Sequence, residues 1–360
     1  MSANAYHRIV IKIGSNVLTQ KDGLPNLSRI KHLVDQIAAV KKQGKEVVLV
    51  SSGAVAAGRS LLQVDEKLEA VATRQLLASI GQVKLINIYA GLFQEYRLLC
   101  SQVLVTKEDF RDRIHYLNMK NCFEILLKHH VVPVVNENDV VSVSELMFTD
   151  NDELAGLIAS FLNADALIIL SNVDGIYDGD PANSSSKLIE EIDNSKIDLS
   201  AFISSARSDF GRGGMLTKTN IAQKVCSLGI SVHIANGQRV NILTDLLENK
   251  VPHTRFIANK KLSGKKKWIA HSDKAAKAVV QINEGARLLL ASGKPISLLP
   301  VGIIAIEADF QKSDIIRLVD EKGESIGLGI AEYGSEKARE RMGKKQQKPL
   351  VHYDYLYINA

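Results

Sequence analysis

Six short runs of β-branched and aliphatic residues recur along the first 250 positions: 8–13, 47–51 ("VVLVS"), 102–106 ("QVLVT"), 131–135 ("VVPVV"), 166–171 ("ALIILS") and 231–235 ("SVHIA"). Each is apolar at consecutive rather than alternate positions, so both faces of each strand are to be covered. That pattern belongs to a mainly parallel sheet with helices on either side. The intervening segments agree. In 26–43, Leu27, Ile30, Leu33, Val34 and Ile37 recur at helical spacing, and Gly44 follows as a stop. The expected fold is α/β, a doubly wound αβα sandwich, whose ligands bind beyond the carboxyl ends of the strands.

After about residue 270 the texture changes. "AVVQI", "ISLLPVGIIAIEADF", "DIIRLVD" and "GESIGLGIAEY" alternate with turns such as Glu321-Lys322-Gly323, which predicts a small β-rich domain. Charge changes there too. The net +5 comes entirely from 260–360, with 18 Lys+Arg against 12 Asp+Glu, while 1–259 nearly balance at 27 against 28. We therefore expect domains at 1–258 and 269–360, joined by a linker at 259–268 ("NKKLSGKKKW"). The cysteines Cys100, Cys122 and Cys226 are odd in number and lack metal spacing, as expected of free thiols in a reducing cytoplasm. No secretory signal or membrane span is expected from the hydropathy pattern.

The polar sequence worth reading lies where strands end. "KIGSN" (12–16), "SSGAVAAG" (51–58), "NENDVVS" (136–142) and "SNVDGIYDGDP" (171–181) each follow a strand, and "FTDND" (148–152) and "GRGGMLTK" (211–218) precede helices. Gly14, Gly53, Gly213 and Gly214 remove Cβ atoms where backbone amides would approach an anion. Helices opening after 52 and 214 would add their positive ends. Lys12 and Lys218 are the cations expected at the phosphates, where phosphoryl transfer depends on positioning and charge. Asp150 and Asp152 would hold the lysines or meet magnesium, and Asn151 would hydrogen-bond a substrate. Asp150 also suits the N-cap of a helix starting near 151. No GxxxxGK[ST], HRD or DFG motif occurs, which excludes the P-loop and protein-kinase readings; the absence of GxGxxG weakens a dinucleotide-oxidoreductase reading, and nothing resembles a Ser-His-Asp hydrolase motif.

Taken together, "VIKIGSNVLT", "VVLVSSGAVAAG", "VVPVVNENDVVS", "FTDNDELAGLIA", "SNVDGIYDGDP" and "GRGGMLTK" resemble the amino-acid kinase family over about residues 8–250. Residues 268–350 resemble a PUA domain. Within the family, "SSGAVAAG", "NENDVV" and "GGMLTK" are most similar to the branch that phosphorylates the γ-carboxylate of L-glutamate with ATP and Mg2+. Carried onto matching positions, the resemblance implies that Lys12 and Lys218 bind the ATP phosphates and that Asp150 orients them. Ser52, Asp139 and Asn151 would hold glutamate, with Asp139 toward its α-ammonium. Gly14, Ser15 and Gly53 would meet the phosphates. Ser171, Asn172 and the run Arg212, Gly213, Gly214, Met215, Leu216, Thr217 and Lys218 would line the nucleotide pocket. Many relatives carry Thr-Asp where this chain has Ser171-Asn172, so the hydroxyl is kept and the carboxylate becomes an amide.

The same resemblance implies a homo-oligomer (dimer or tetramer), proline as feedback inhibitor, and transient hand-over of the product to glutamate-5-semialdehyde dehydrogenase. Residues 60–80 read as an interface helix or as ordinary core. The alternatives are a family member acting on N-acetylglutamate or aspartate, and RNA binding by the basic C-terminal part. A carboxylate at 139 argues for a free ammonium rather than an acetylated amine.

Overall fold

The computed structural model describes residues 6–64, 68–142, 148, 150–181, 183, 185–193, 214–258, 264–270, 272–292 and 294–359. The chain divides into two compact units, Met1–Lys261 and Leu262–Ala360. The first is built on β1 (Arg8–Ile13), β2 (Glu46–Ser51), β3 (Cys100–Val105), β4 (Val132–Glu137), β5 (Ala166–Ser171), β6 (Glu191–Ile192), β7 (Ser231–Asn236) and β8 (Thr254–Phe256). They form one sheet in the order β3-β4-β2-β1-β5-β7-β8-β6. All neighbours run parallel except β7 and β8. The six apolar runs are thus the six long strands. β5 is buried at every position and β1 at all but its first, the outcome of a sheet covered on both faces.

Helices α1 (Ser15–Leu18), α2 (Leu27–Lys42), α3 (Ala54–Arg59), α4 (Ala70–Glu95), α5 (Lys107–Arg111), α6 (Arg113–Lys128), α7 (Asn151–Phe161) and α8 (Met215–Ser227) connect them. Asn26 caps α2 by accepting from the Arg29 amide, and Gly44 follows in the left-handed region at φ 78. The 26-residue α4 is long and apolar enough to cross a membrane by length and composition. It buries a stripe of Leu77, Ala78, Gly81, Gln82, Leu85, Tyr89 and Phe93, and Leu85, Tyr89 and Phe93 join the core of the unit. α3 lies against α4 through two glycines. A Cβ on Gly81 would stand 1.8 Å from the Ala54 carbonyl oxygen, and one on Gly58 2.0 Å from that of Leu77. Such an approach is open only to glycine.

From β1 the chain passes to β2 on one side, and from β5 to β7 on the other. The crevice between the ends of β1 and β5 is therefore the switch point, the place where open α/β sheets bind ligands.

The second unit carries β9 (Ala278–Ile282), β10 (Ile303–Glu307), β11 (Ile315–Val319), β12 (Ser325–Ile330) and β13 (Leu356–Ile358), ordered β10-β9-β11-β12-β13. It has its own core, including Val280, Ile282, Ile316, Leu318, Leu350 and Val351. The last part of the stretch expected as linker belongs to a helix, Gly264–Ala270, that runs two residues past it. The remainder of that stretch, 259–263, lies outside the described residues.

Candidate active site

Lys12 lies on β1, in the interior of the sheet and 5% exposed, so its stem has no edge along which to reach water. A buried ammonium needs a partner. It finds Asp152, with Nζ 2.6 Å from Oδ1. Lys218 arrives from the first turn of α8 and places its Nζ 3.1 Å from the other oxygen, Oδ2. Asp152 is wholly buried in the first turn of α7. Burial alone would push its carboxyl up; the two ammonium groups outweigh that and hold it below the usual carboxylate range. A cation in the first turn of a helix opposes the helix dipole. Lys218 at that position therefore adds to the positive end of α8 and depends on Asp152 for its counter-charge.

The carboxylate between the lysines is thus that of Asp152. Asp150, expected to orient them, has a different place: it is the N-cap of α7, and its Oδ1 accepts from the amides of Asp152 and Glu153 at 2.9 Å each. Its Oδ2 is buried and accepts no hydrogen bond among the described residues. Burial, and then the charge on Asp152, raises the Asp150 carboxyl above its ordinary pKa, although both lysines act on it in the opposite sense. Capping explains the pair: the geometry that ties Asp150 to the helix amides aims Asp152, two residues on, at the lysines.

Around this centre the strand ends converge. The Gly14 amide reaches the Leu170 carbonyl at 3.4 Å, and a Cβ on Gly14 would stand 3.4 Å from Lys12 Nζ, so the glycine keeps the ammonium uncovered. Ser15 opens α1 and is exposed. Gly53, at φ 110, turns the chain from β2 into α3 and fixes Ser52 before it. Asn151 Nδ2 donates to Ser52 Oγ at 2.8 Å and to Asn136 Oδ1 at 3.0 Å. Asn136 Nδ2 in turn donates to Gln82 Oε1 at 3.0 Å. Asp139 is buried beside Arg74, whose Nε donates to Asp139 Oδ1 at 2.8 Å.

On the far side, Ser171 Oγ donates to Asn172 Oδ1 at 3.3 Å, and the Gly237 amide donates to the Ser171 carbonyl at 2.8 Å. Asn172 itself is exposed. Gly214 is the N-cap of α8 and offers no side chain there, while Met215, Leu216 and Thr217 form its first turn. Arg212 and Gly213 lie outside the described residues. Asp174 and Arg239, not singled out in the sequence, pair through two contacts of 2.7 Å and tie the loop after β5 to that after β7. Arg74 and Gln82 were also missed. The signal was there: they sit eight residues apart, two polar members of the stripe that Ala78, Leu85 and Tyr89 complete.

Comparison with known proteins agrees with this geometry. The profile of the Amino acid kinase family matches residues 7–236, and that of the PUA domain matches 278–353. The chain belongs to the amino acid kinase family and carries a C-terminal PUA domain. Its relatives include a protein of Bacteroides thetaiotaomicron named glutamate 5-kinase, 55% identical over 98% of this chain and 99% of that one. Another of the same name, from Chlorobaculum tepidum, is 51% identical over 98% of both chains. Among solved structures, a carbamate kinase from Giardia lamblia bound to AMP-PNP superposes with a TM-score of 0.51 at 19% identity. It covers 71% of this chain and all of that one, and the likeness is one of fold.

Proposed function

We propose that this chain transfers the γ-phosphoryl group of ATP to the γ-carboxylate of L-glutamate, giving glutamyl 5-phosphate and ADP, the opening step of proline synthesis in the cytoplasm. One observation carries the reading: Lys12 and Lys218, from distant parts of the sequence, close on the two oxygens of a single buried carboxylate at the switch point. Two ammonium groups so held match a group whose charge is spread over its equatorial oxygens. Full-length relatives named glutamate 5-kinase support glutamate as the acceptor.

The chemistry follows from the donors. A carboxylate is ionised at neutral pH and is already a nucleophile, so no general base is required. Ser52 Oγ accepts from Asn151 and keeps its own O–H to donate to the acceptor carboxylate. Asn151 spends Nδ2 on Ser52 and Asn136 and keeps Oδ1 as an acceptor. Lys12 and Lys218 grip the phosphoryl group, and Asp152 fixes their separation before ATP arrives. Preorganised charge of this kind requires no rearrangement during the reaction. Among the described residues no cluster of three or more His, Cys, Asp or Glu is arranged to hold a metal. Magnesium would be supplied bound to ATP and held largely by the phosphates, as is usual for this ion.

Hydroxylamine trapping tests the proposal. With ATP, magnesium and hydroxylamine, glutamate is expected to yield a hydroxamate, whereas aspartate and N-acetylglutamate yield little. Failure of glutamate, or equal turnover of N-acetylglutamate, would overturn it.

A further inference from the structure

The mouth of the acceptor side is formed by three charged groups, of which the sequence pointed to one. Arg74, in the second turn of α4, bridges the two acids that end and follow β4. Its Nη2 lies 3.0 Å from Glu137 Oε2 and 2.6 Å from Asp139 Oδ1, and its Nε donates to the same Asp139 oxygen. Both acids are buried, whereas the arginine side chain is about one-third exposed, at 34%. Gln75, next on the helix, donates to the Val140 carbonyl at 2.8 Å and clamps the same loop.

The hydrogen-bonding capacity left over is informative. Glu137 is committed: its Oε1 accepts from Ser142 Oγ and the Phe148 amide, and its Oε2 takes Arg74. Asp139 uses Oδ1 for the arginine, and among the described residues its Oδ2 accepts nothing. Arg74 uses Nε and Nη2, and among the described residues its Nη1 donates to nothing. Guanidinium and carboxylate thus lie side by side, each with one edge unspent. Arginine presents donors in a fixed fork suited to a second carboxylate. The head of an α-amino acid is the complement of that pair, an ammonium and a carboxylate on one carbon.

We infer that Arg74 receives the α-carboxylate of the acceptor through Nη1, beside the α-ammonium already expected at Asp139, so that the ion pair acts as one reader of the zwitterion. The inference rests on the reading of glutamate as acceptor and assigns its other end. The reader connects to the reaction centre through Asn136, which precedes Glu137 on β4 and accepts from Asn151, the neighbour of Asp152. An amino acid held by its head at Arg74 and Asp139 therefore extends its side chain past Ser52 and Asn151 toward the lysines.

The test uses the full-length chain, glutamate, and glutamic acid α-amide, which keeps the γ-carboxylate and ammonium but carries no α-carboxylate. The wild type should favour glutamate by about 10- to 100-fold in kcat/KM, the worth of a charge-assisted hydrogen bond. R74Q should raise KM for glutamate by a similar factor, leave KM for ATP unchanged, and bring the two acceptors level. R74K, which keeps a cation beside Glu137 and Asp139 and so preserves the fold, should also lose most of the preference, because a point charge lacks the fork. If both variants keep the wild-type preference while turning over more slowly, Arg74 only positions Asp139 and the inference is wrong. A wild type that phosphorylates neither acceptor overturns the glutamate reading itself.

Discussion

At the scale of single residues, the site is an electrostatic balance struck around Asp152. Its carboxylate is the counter-ion that lets Lys12 and Lys218 share a buried crevice. Removing one member of such a cluster leaves charge buried without compensation, which costs about 3–5 kcal/mol. Asp152→Asn should therefore lower stability by that measure, read as a fall in the urea midpoint at unchanged m. Tripolyphosphate should restore the variant more than it shifts the wild type, since phosphate oxygens would take the carboxylate's place. Equal shifts in the two proteins would argue that the lysines do not face the phosphates. That the lysines, Gly14, Ser52 and Asn151 lie where strands end or helices begin was legible in the sequence. The exchange of roles between Asp150 and Asp152 was not. Both suit a cap and both suit a partner for lysine, and only the direction of the α7 amides decides between them.

At the scale of elements, the strands were legible because a buried parallel strand cannot hide its composition. β8 and β6 were not, for they are three and two residues long and carry no pattern. The helix pair α3–α4 was also beyond reach, since its closeness depends on Gly58 and Gly81 meeting backbone across the contact. Gly81→Ala should force the helices apart at about 1–3 kcal/mol and raise KM for the acceptor, because α3 carries the turn at Ser52 and Gly53. Gly91→Ala, on the same helix with nothing within 4 Å of the added carbon, should stabilise by about 0.5–1 kcal/mol. Thermal melts and kinetics of the pair would separate crowding from helix propensity.

The β7–β8 pairing makes a second prediction. His233 is fully buried on β7, with Nε2 3.1 Å from the Tyr6 hydroxyl, the His253 ring 5.1 Å away, and Arg255 opposite on β8. Burial first, then the His253 and Arg255 charges, lowers its pKa from 6.5 to about 3. Below 6.5 the unfolded chain binds a proton that the folded one refuses. Stability should therefore fall as pH falls, by up to ~1.4 kcal/mol per unit from this group, until the folded pKa is reached. His233→Gln should flatten that part of the urea-midpoint profile. An unchanged slope would show that other groups set it.

At the scale of the whole molecule, each unit has its own core, and every site residue discussed belongs to the first. The break in charge near 260 made that division legible, as did the change from helical spacing to short strands. The chain ending at Lys261 should fold and retain most glutamate-dependent turnover, as expected when a domain owns both core and site. Loss of activity in a folded truncation would mean that the PUA domain completes the site. The basic surplus of the second unit is interleaved with acids, as in Arg317 with Asp273 and Arg339 with Asp309, which explains why charge alone gave no partner.

The central claim is that Lys12 and Lys218 act on one phosphoryl group as a unit. Its most direct test is a double-mutant cycle on glutamate-dependent hydroxamate formation, with all variants shown to be folded. Each single change to alanine should lower turnover by ~10²–10³, and the double variant should fall little below the weaker single. Near-normal turnover in either single variant, or losses that multiply in the double, would contradict the account.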